Sequence, residues 1–336
     1  RDRPRRTRLA KLLGNRAETL VPAAIALTPI LSARWRSAHL EAIRAAAPGS
    51  RIVLVSTEGL ADGPIEDVEV LFRGGGLPAE TFDRLLARSP RLAWVHSATA
   101  GVERALTPAA RARGLAITNA RGVFSAPVAE YVLLMILAIS RRFPQLLELQ
   151  RERTWQPLEG RELGDVTVGI VGLGSMGEAI ADRALAFGCR VVATRGRPGS
   201  AASRAGIELL AASDFVVLAL PLTPETDRLI DEAALARMRP GAWLVNVARG
   251  QHVDDHALMR ALREGTIAGA VLDTFREEPL PASSPWYDFE NVIVTPHTSW
   301  ASGRVLDRSV ELFCDNLRRF ARGEPLRNVV DPGVGY

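Results

Sequence analysis

A chain of 336 residues, 47% hydrophobic and 24% charged, holds enough apolar material for two cores, which excludes disorder as an overall reading and points to a site in a cleft between domains. The formal net charge of +4 is modest and its basic side is almost all arginine, Lys11 being the single lysine, so Schiff-base chemistry and a phosphate-loop lysine are hard to place. Cys189 and Cys314, far apart and outside any Cys/His cluster, exclude a disulfide framework and a zinc site and suit a reducing cytoplasm.

The opening residues RDRPRRTR carry five arginines and one aspartate. Such an arm can touch nucleic acid, but its simpler reading is a solvated terminus, and no nucleic-acid partner is expected. No apolar core with a small-residue cleavage site follows, so no secretory leader is expected. From Val21 to about Ala120, short apolar runs alternate with helix-like stretches: AIAL near 24, RIVLV at 51, VEVLF at 68, LAWVH at 92 and LAIT at 115. That rhythm predicts a parallel sheet with crossover helices. A helix follows from about Ser125 to Arg142, with Ser125 as its cap and Pro127 in its first turn. Its apolar residues run nearly all round, which predicts burial between layers. The stretch Tyr131 to Ile139 falls well short of the ~20 residues that cross a bilayer, so no membrane association is expected.

A second alternating series starts at Thr167: TVGIVG, a helix to Phe187, CRVVAT, DFVVLAL, AWLVNVA, a helix from Asp254, AGAVLDTF and NVIVTPH. These strands are continuous Val/Ile/Leu runs, as expected of a sheet covered on both faces. A last helix, about Ser302 to Arg322, has no strand after it and is read as returning to the first domain. The expected architecture is therefore α/β, with two doubly wound parallel-sheet domains: residues 1–120 completed by 303–336, and residues 121–302.

The chemistry is concentrated in the second series. Gly172, Gly174, Ser175, Met176 and Gly177 form a GLGSMG turn directly after one strand and directly before a helix. Glycines there allow a tight turn and close approach of a pyrophosphate to backbone N–H groups at a helix N-terminus, so this is a dinucleotide turn. The next strand ends in CRVVATRGRP, offering Thr194, Arg195 and Arg197 where an acid for the NAD ribose is usual. Guanidinium groups suit a 2′-phosphate, which favours NADP over NAD; the plain alternative is surface arginines in an arginine-rich chain. Arg249, Glu278 and His297 then fall at or just beyond the ends of three successive strands. Each has a bland reading alone, as surface ion pair, loop acid or strand-end histidine, but ligands of open α/β sheets collect outside the carboxyl ends of strands.

The sequences VNVARG, VLDTFREEPLP and TPHTSW, in that order after GLGSMG, resemble the signatures of the D-isomer-specific 2-hydroxyacid dehydrogenase family. The likeness extends to SATAGVE at 97, TNARGVFSAPVAEYVL at 118 and LALPLTPETDRLI at 218, covering roughly Leu92 to Pro296. It implies a Rossmann cofactor domain plus a flavodoxin-like substrate domain, a homodimer, and hydride transfer between NAD(P)H and a small 2-keto acid or D-2-hydroxy acid. By the same resemblance, His297 is the acid/base, Glu278 the carboxylate that favours its protonated form, and Arg249 the anchor of the substrate carboxylate. The N–H groups of Ala100, Gly101 and Val102 match a second anchor for that carboxylate. Asp273 matches the acid that fixes the nicotinamide carboxamide, and Pro221 and Thr226 lie in a stretch along the cofactor. Trp94, Arg73 and Trp300 lie near substrate-side motifs, and WVHSATAGVE with VVATRGRP look most like the glyoxylate and hydroxypyruvate reductase branch. The alternative is a dinucleotide-binding corepressor or sensor on the same fold, which turnover of NADPH with a keto acid distinguishes.

Overall fold

The computed structural model describes residues 21–29, 35–195 and 204–333, so the arginine-rich start of the chain and Arg197 lie outside the described residues. These fall into two compact units, 21–123 with 303–333 and 124–302. In the first, β1 (Ala24–Leu27), α1 (Ser37–Ala46), β2 (Arg51–Leu54), β3 (Val68–Arg73), α2 (Ala79–Arg88), β4 (Trp94–Ser97), α3 (Pro108–Arg113) and β5 (Ala116–Thr118) follow in order. The strands are parallel in the order β2-β1-β3-β4-β5, with Leu27 opposite both Leu54 and Phe72. This flavodoxin-like order reverses between β1 and β3.

The second unit begins with α4 (Ser125–Ser140) and α5 (Phe143–Arg151). It continues through β6 (Thr167–Val171), α6 (Ser175–Ala186), β7 (Arg190–Thr194), α7 (Arg204–Ala212) and β8 (Phe215–Leu218). Then come α8 (Glu232–Leu235), β9 (Trp243–Asn246), α9 (Asp255–Arg263), β10 (Gly269–Leu272) and β11 (Val292–Val294). The parallel order is β11-β10-β9-β8-β6-β7, a Rossmann-type sheet that reverses between β6 and β8. Strands β6, β8 and β10 are buried throughout, which is why their sequences show no polar alternation. Asp254 caps α9 by accepting from the Ala257 N–H at 3.1 Å.

Helix α4 departs from expectation at its start and on one face. Ser125 is the first helical residue; Phe124 takes the cap position and no side chain caps the helix. Val128, Val132 and Ile136 pack into the core of the second unit, but Leu134 is 56% exposed, so burial is one-sided. Helix α5 buries none of its residues, and Phe143, Leu146, Leu147 and Trp155 add to this exposed apolar surface.

Helix α10 (Val305–Ala321) belongs to the first unit, where Phe313 and Phe320 pack on Trp94 at centroid distances of 5.4 and 5.6 Å. Trp94 is fully buried and donates its indole N–H to Thr118 Oγ1 at 2.9 Å. The Thr118 hydroxyl is then free to donate to His96 Nδ1, 2.8 Å away. Burial pushes the His96 pKa down to about 3, so it is a neutral core histidine. Arg73 is also internal: its guanidinium donates to the Leu77 carbonyl at 2.7 Å and lies over the Phe82 ring. Burial and the nearby Arg104 bring its pKa down to about 10. Trp94 and Arg73, which the sequence places near substrate-side motifs, therefore build the core of the first unit.

Candidate active site

The nucleotide turn is built by backbone approach. Gly172 has φ +104°, and a Cβ there would lie 2.7 Å from the Ala219 carbonyl; a Cβ on Gly177 would lie 2.2 Å from the Gly172 carbonyl. Both positions need glycine, and together they press α6 against the end of β6. Gly174 caps α6 without a side-chain hydrogen bond and has open space beside its Cα. Ser175 and Met176 thus start a helix whose positive end faces that space, which fits a pyrophosphate.

Thr194 ends β7 and is buried beside a cavity of about 110 Å³ that Val171, Leu210, Leu229 and Ile230 also line. Arg195 is 68% exposed and already engaged, donating to the Leu173 carbonyl at 3.2 Å and forming an ion pair with Glu178. After β8, Thr226 is wholly buried, and its hydroxyl accepts from the Thr223 N–H at 2.8 Å and donates to the Pro221 carbonyl at 3.0 Å. The hydroxyl shapes the loop from within.

Three strand ends bring the polar trio together. Asn246, at the end of β9, accepts from the Ala248 N–H at 3.1 Å and donates to the Arg249 carbonyl at 2.8 Å, fixing the turn that carries Arg249. Gly250 lets this turn lie on the backbone after β10, since a Cβ would sit 2.0 Å from the Phe275 carbonyl carbon. There Glu278 Oε1 accepts from the Phe275 N–H at 2.9 Å, and Oε2 meets His297 Nδ1 at 2.8 Å. Burial, the largest single influence, pushes the Glu278 carboxyl up. The His297 and Phe275 hydrogen bonds and the charges of His297 and Arg249 together hold it below its ordinary value. His297 adopts φ +49°, a left-handed conformation uncommon outside glycine, held in a tight turn by its N–H donating to the Thr295 carbonyl at 3.0 Å. With Nδ1 committed to Glu278, Nε2 is left for chemistry.

Asp273 holds the same turn from beneath. Wholly buried at the end of β10, its Oδ1 accepts from Thr295 Oγ1 at 2.6 Å and the Thr298 N–H at 2.8 Å, and its Oδ2 from the Ser299 N–H at 3.0 Å. Since the Thr295 hydroxyl donates to Asp273, Tyr131 donates to Thr295 at 2.7 Å, and burial pushes the Tyr131 pKa up to about 12. Trp300 packs edge-on against Phe124. Asn246, Gly250 and the Tyr131–Thr295 link escaped sequence reading; the signal was an asparagine three residues before Arg249 at a strand end, an ordinary turn former. Among the described residues, no group of three or more His, Cys, Asp or Glu side chains could hold a metal, and no helix is long and apolar enough to cross a membrane.

In the first unit, the turn after β4 has its carbonyls tied inward. The Ala120 N–H donates to Thr99, Asn119 Nδ2 to Ala100 at 2.8 Å, and Thr99 Oγ1 to Gly101 at 2.6 Å. The N–H groups of Ala100, Gly101 and Val102 donate to no acceptor among the described residues. Three successive N–H groups without such an acceptor suit an anion.

Residues 133–299 match the family model described as "D-isomer specific 2-hydroxyacid dehydrogenase, NAD binding domain". The chain is 36% identical over 271 residues to a glyoxylate reductase of Korarchaeum cryptofilum, covering 77% of this chain and 80% of the relative. A D-isomer specific 2-hydroxyacid dehydrogenase from Xanthobacter autotrophicus Py2, solved with NADPH and MES, superposes with a TM-score of 0.81 at 32% identity over 94% of this chain and 100% of that one. An NADPH-dependent glyoxylate/hydroxypyruvate reductase from Sinorhizobium meliloti, solved with NADP and sulfate, gives a TM-score of 0.78 at 26% identity over 93% and 100%.

Proposed function

The chain belongs to the D-isomer-specific 2-hydroxyacid dehydrogenase family, and from that premise we propose that it reduces glyoxylate or hydroxypyruvate with NADPH as the preferred cofactor. It is an oxidoreductase that moves a hydride between NAD(P)H and a small 2-keto acid or D-2-hydroxy acid. The observation that carries our assignment of roles is the 2.8 Å pairing of His297 Nδ1 with Glu278, on a loop packed against the Arg249 turn.

When bound, the nicotinamide supplies or takes the hydride. Protonated His297 donates from Nε2 to the carbonyl oxygen during reduction, while Glu278 holds the ring through Nδ1. Arg249 binds the substrate carboxylate with a planar fork of donors, and we assign the N–H groups of Ala100, Gly101 and Val102, on the first unit, to anion binding. Gly172, Gly174, Ser175, Met176 and Gly177 cradle the pyrophosphate, and Asp273 shapes the nicotinamide side through its hold on residues 295–299. Mixing the protein with NADPH and glyoxylate, hydroxypyruvate or phenylpyruvate tests the assignment: loss of nicotinamide absorbance with the first two supports it, and none with any keto acid defeats it.

NADPH preference rests on Arg195, whose ion pair with Glu178 can be exchanged for a doubly charged 2′-phosphate; Arg197 and Thr194 are assigned as helpers. Arg195→Asp removes the attractive charge and adds a repulsive one, so the ratio of kcat/KM for NADPH over NADH is expected to fall roughly ten- to a hundredfold. A wild type that uses NADH as well as NADPH defeats this assignment.

The exposed apolar side chains on α4 and α5, with Trp155 fully exposed, support a homodimer formed through that face. Sedimentation at micromolar concentration is expected to give a dimer and Leu134→Glu a monomer; a monomeric wild type overturns it. Cys189 and Cys314 are buried free thiols, which supports a cytoplasmic location.

A further inference from the structure

Directly after Arg249, Gly250–His252 forms a 3₁₀ turn in which His252 is wholly buried. Its Nδ1 lies 2.9 Å from the Thr226 carbonyl oxygen and its Nε2 lies 3.2 Å from the Leu220 carbonyl oxygen. Both partners can only accept. A neutral imidazole has one N–H and so satisfies one of them, leaving a ring lone pair against the other; only the imidazolium donates to both. The backbone of the same residue is engaged as well, its N–H donating to the Arg249 carbonyl at 3.2 Å and its carbonyl accepting from the Ile230 N–H at 2.9 Å. His252 thus joins the Arg249 turn to both ends of the segment Leu220–Thr226.

We propose that His252 is a positioning residue for cofactor binding: its imidazole ties the Leu220 and Thr226 carbonyls to the Arg249 turn, once when neutral and twice when protonated, so that dinucleotide binding draws a proton into the buried ring. The proposal rests on the reading that Leu220–Thr226 passes along the cofactor. Burial lowers the basicity of the ring most; the two carbonyls oppose this, Arg249 adds to it, and Asp227 favours the proton. Arg276 bonds to Asp227 at 3.3 Å and to the Gln251 and Val253 carbonyls, on either side of His252, at 2.8 and 2.9 Å. The ring is therefore neutral at neutral pH and gains its second donor on the acid side of the ordinary histidine range. By linkage, a state that binds dinucleotide better when protonated must take up a proton on binding.

NADH is the probe, because the 2′-phosphate of NADPH titrates in the same range. Its Kd is measured by nicotinamide fluorescence between pH 5.5 and 8.5 for the wild type, His252→Gln and His252→Phe, with near-UV circular dichroism verifying the fold of each. Proton uptake is read by calorimetry in two buffers of different ionisation enthalpy. The wild type is expected to bind roughly three- to tenfold tighter at the acid end, the size of one hydrogen bond, and to take up a proton. His252→Gln keeps one donor and loses the titrating group, so its pH dependence and proton uptake fall below wild type while its alkaline affinity stays close to it. His252→Phe binds more weakly at every pH. His297 is present in all three proteins, so the comparison isolates His252. A His252→Gln protein with the full wild-type pH dependence and proton uptake overturns the proposal alone. A wild type that binds neither NADH nor NADPH overturns the cofactor reading and the proposal with it.

Discussion

Replacing His297 by alanine is expected to lower kcat for keto-acid reduction by roughly 100- to 10,000-fold, the range that a positioned general acid contributes. The expectation follows from how the ring is held. Asp273 pins residues 295, 298 and 299 from a buried position, His297 is bent into a left-handed turn, and Glu278 fixes Nδ1, so Nε2 has one defined direction. Nothing in the nucleotide turn depends on the imidazole, so the affinity for NADPH is expected to stay near wild type. Glu278→Gln separates the two halves of the pair. Glu278 stays ionised into acid because its carboxyl is held below its ordinary value, and this charge favours the protonated donor. The neutral amide gives up that charge, so kcat/KM for reduction persists at low pH and its alkaline decline moves to lower pH than in wild type. An unshifted profile means that another acid supports the histidine; a kcat within a few-fold of wild type in His297→Ala removes the histidine from proton transfer.

The sequence exposed those parts of the molecule whose causes are local. Continuous apolar runs such as TVGIVG and DFVVLAL suit strands covered on both faces, and the structure buries the strands they form, Thr167–Val171 and Phe215–Leu218, throughout. Glycines at 172 and 177 stand out because tight backbone approach tolerates little else, while Gly174 leaves open space at the start of α6. What depends on direction stayed hidden. In a strand covered on both sides, alternation says nothing about which layer a residue enters, so Trp94 and Arg73 read as near the substrate motifs while pointing into the core of the first unit. The sequence of α4 is apolar all round, and only the structure shows which side chains it leaves exposed. The ion pair of Arg195 with Glu178 joins residues seventeen positions apart, across a strand, a turn and a helix, a span no local rule can see. Likewise, the side chains of Thr226 and His252 bond to loop carbonyls whose positions are set by tertiary packing.

Arg249→Lys is expected to raise KM for the keto acid roughly ten- to a hundredfold, the cost of losing one charge-assisted hydrogen bond, with a smaller fall in kcat and nearly unchanged cofactor affinity. Asn246 bonds from both sides to the turn that carries Arg249, Gly250 presses it against Phe275, and the Arg249 guanidinium donates to the Ala248 carbonyl at 2.7 Å, so the planar group is held at its base. A guanidinium offers a carboxylate two parallel N–H donors in one plane, whereas an ammonium offers the same charge as a point on a flexible stem. Lysine therefore keeps the attraction and loses the alignment, and the loss falls on the substrate that needs alignment. The cofactor is untouched as long as His252 and the Leu220–Thr226 segment keep their bonds, which involve the Arg249 backbone and not its side chain. Steady-state kinetics with glyoxylate and NADPH, together with NADPH affinity measured by fluorescence, separate the outcomes. An unchanged KM for the keto acid shows that Arg249 does not bind the carboxylate. A matching loss of NADPH affinity shows instead that the substitution disturbed the turn, and Arg249→Gln, which keeps planar donors without the charge, then reports whether charge or shape governs keto-acid KM.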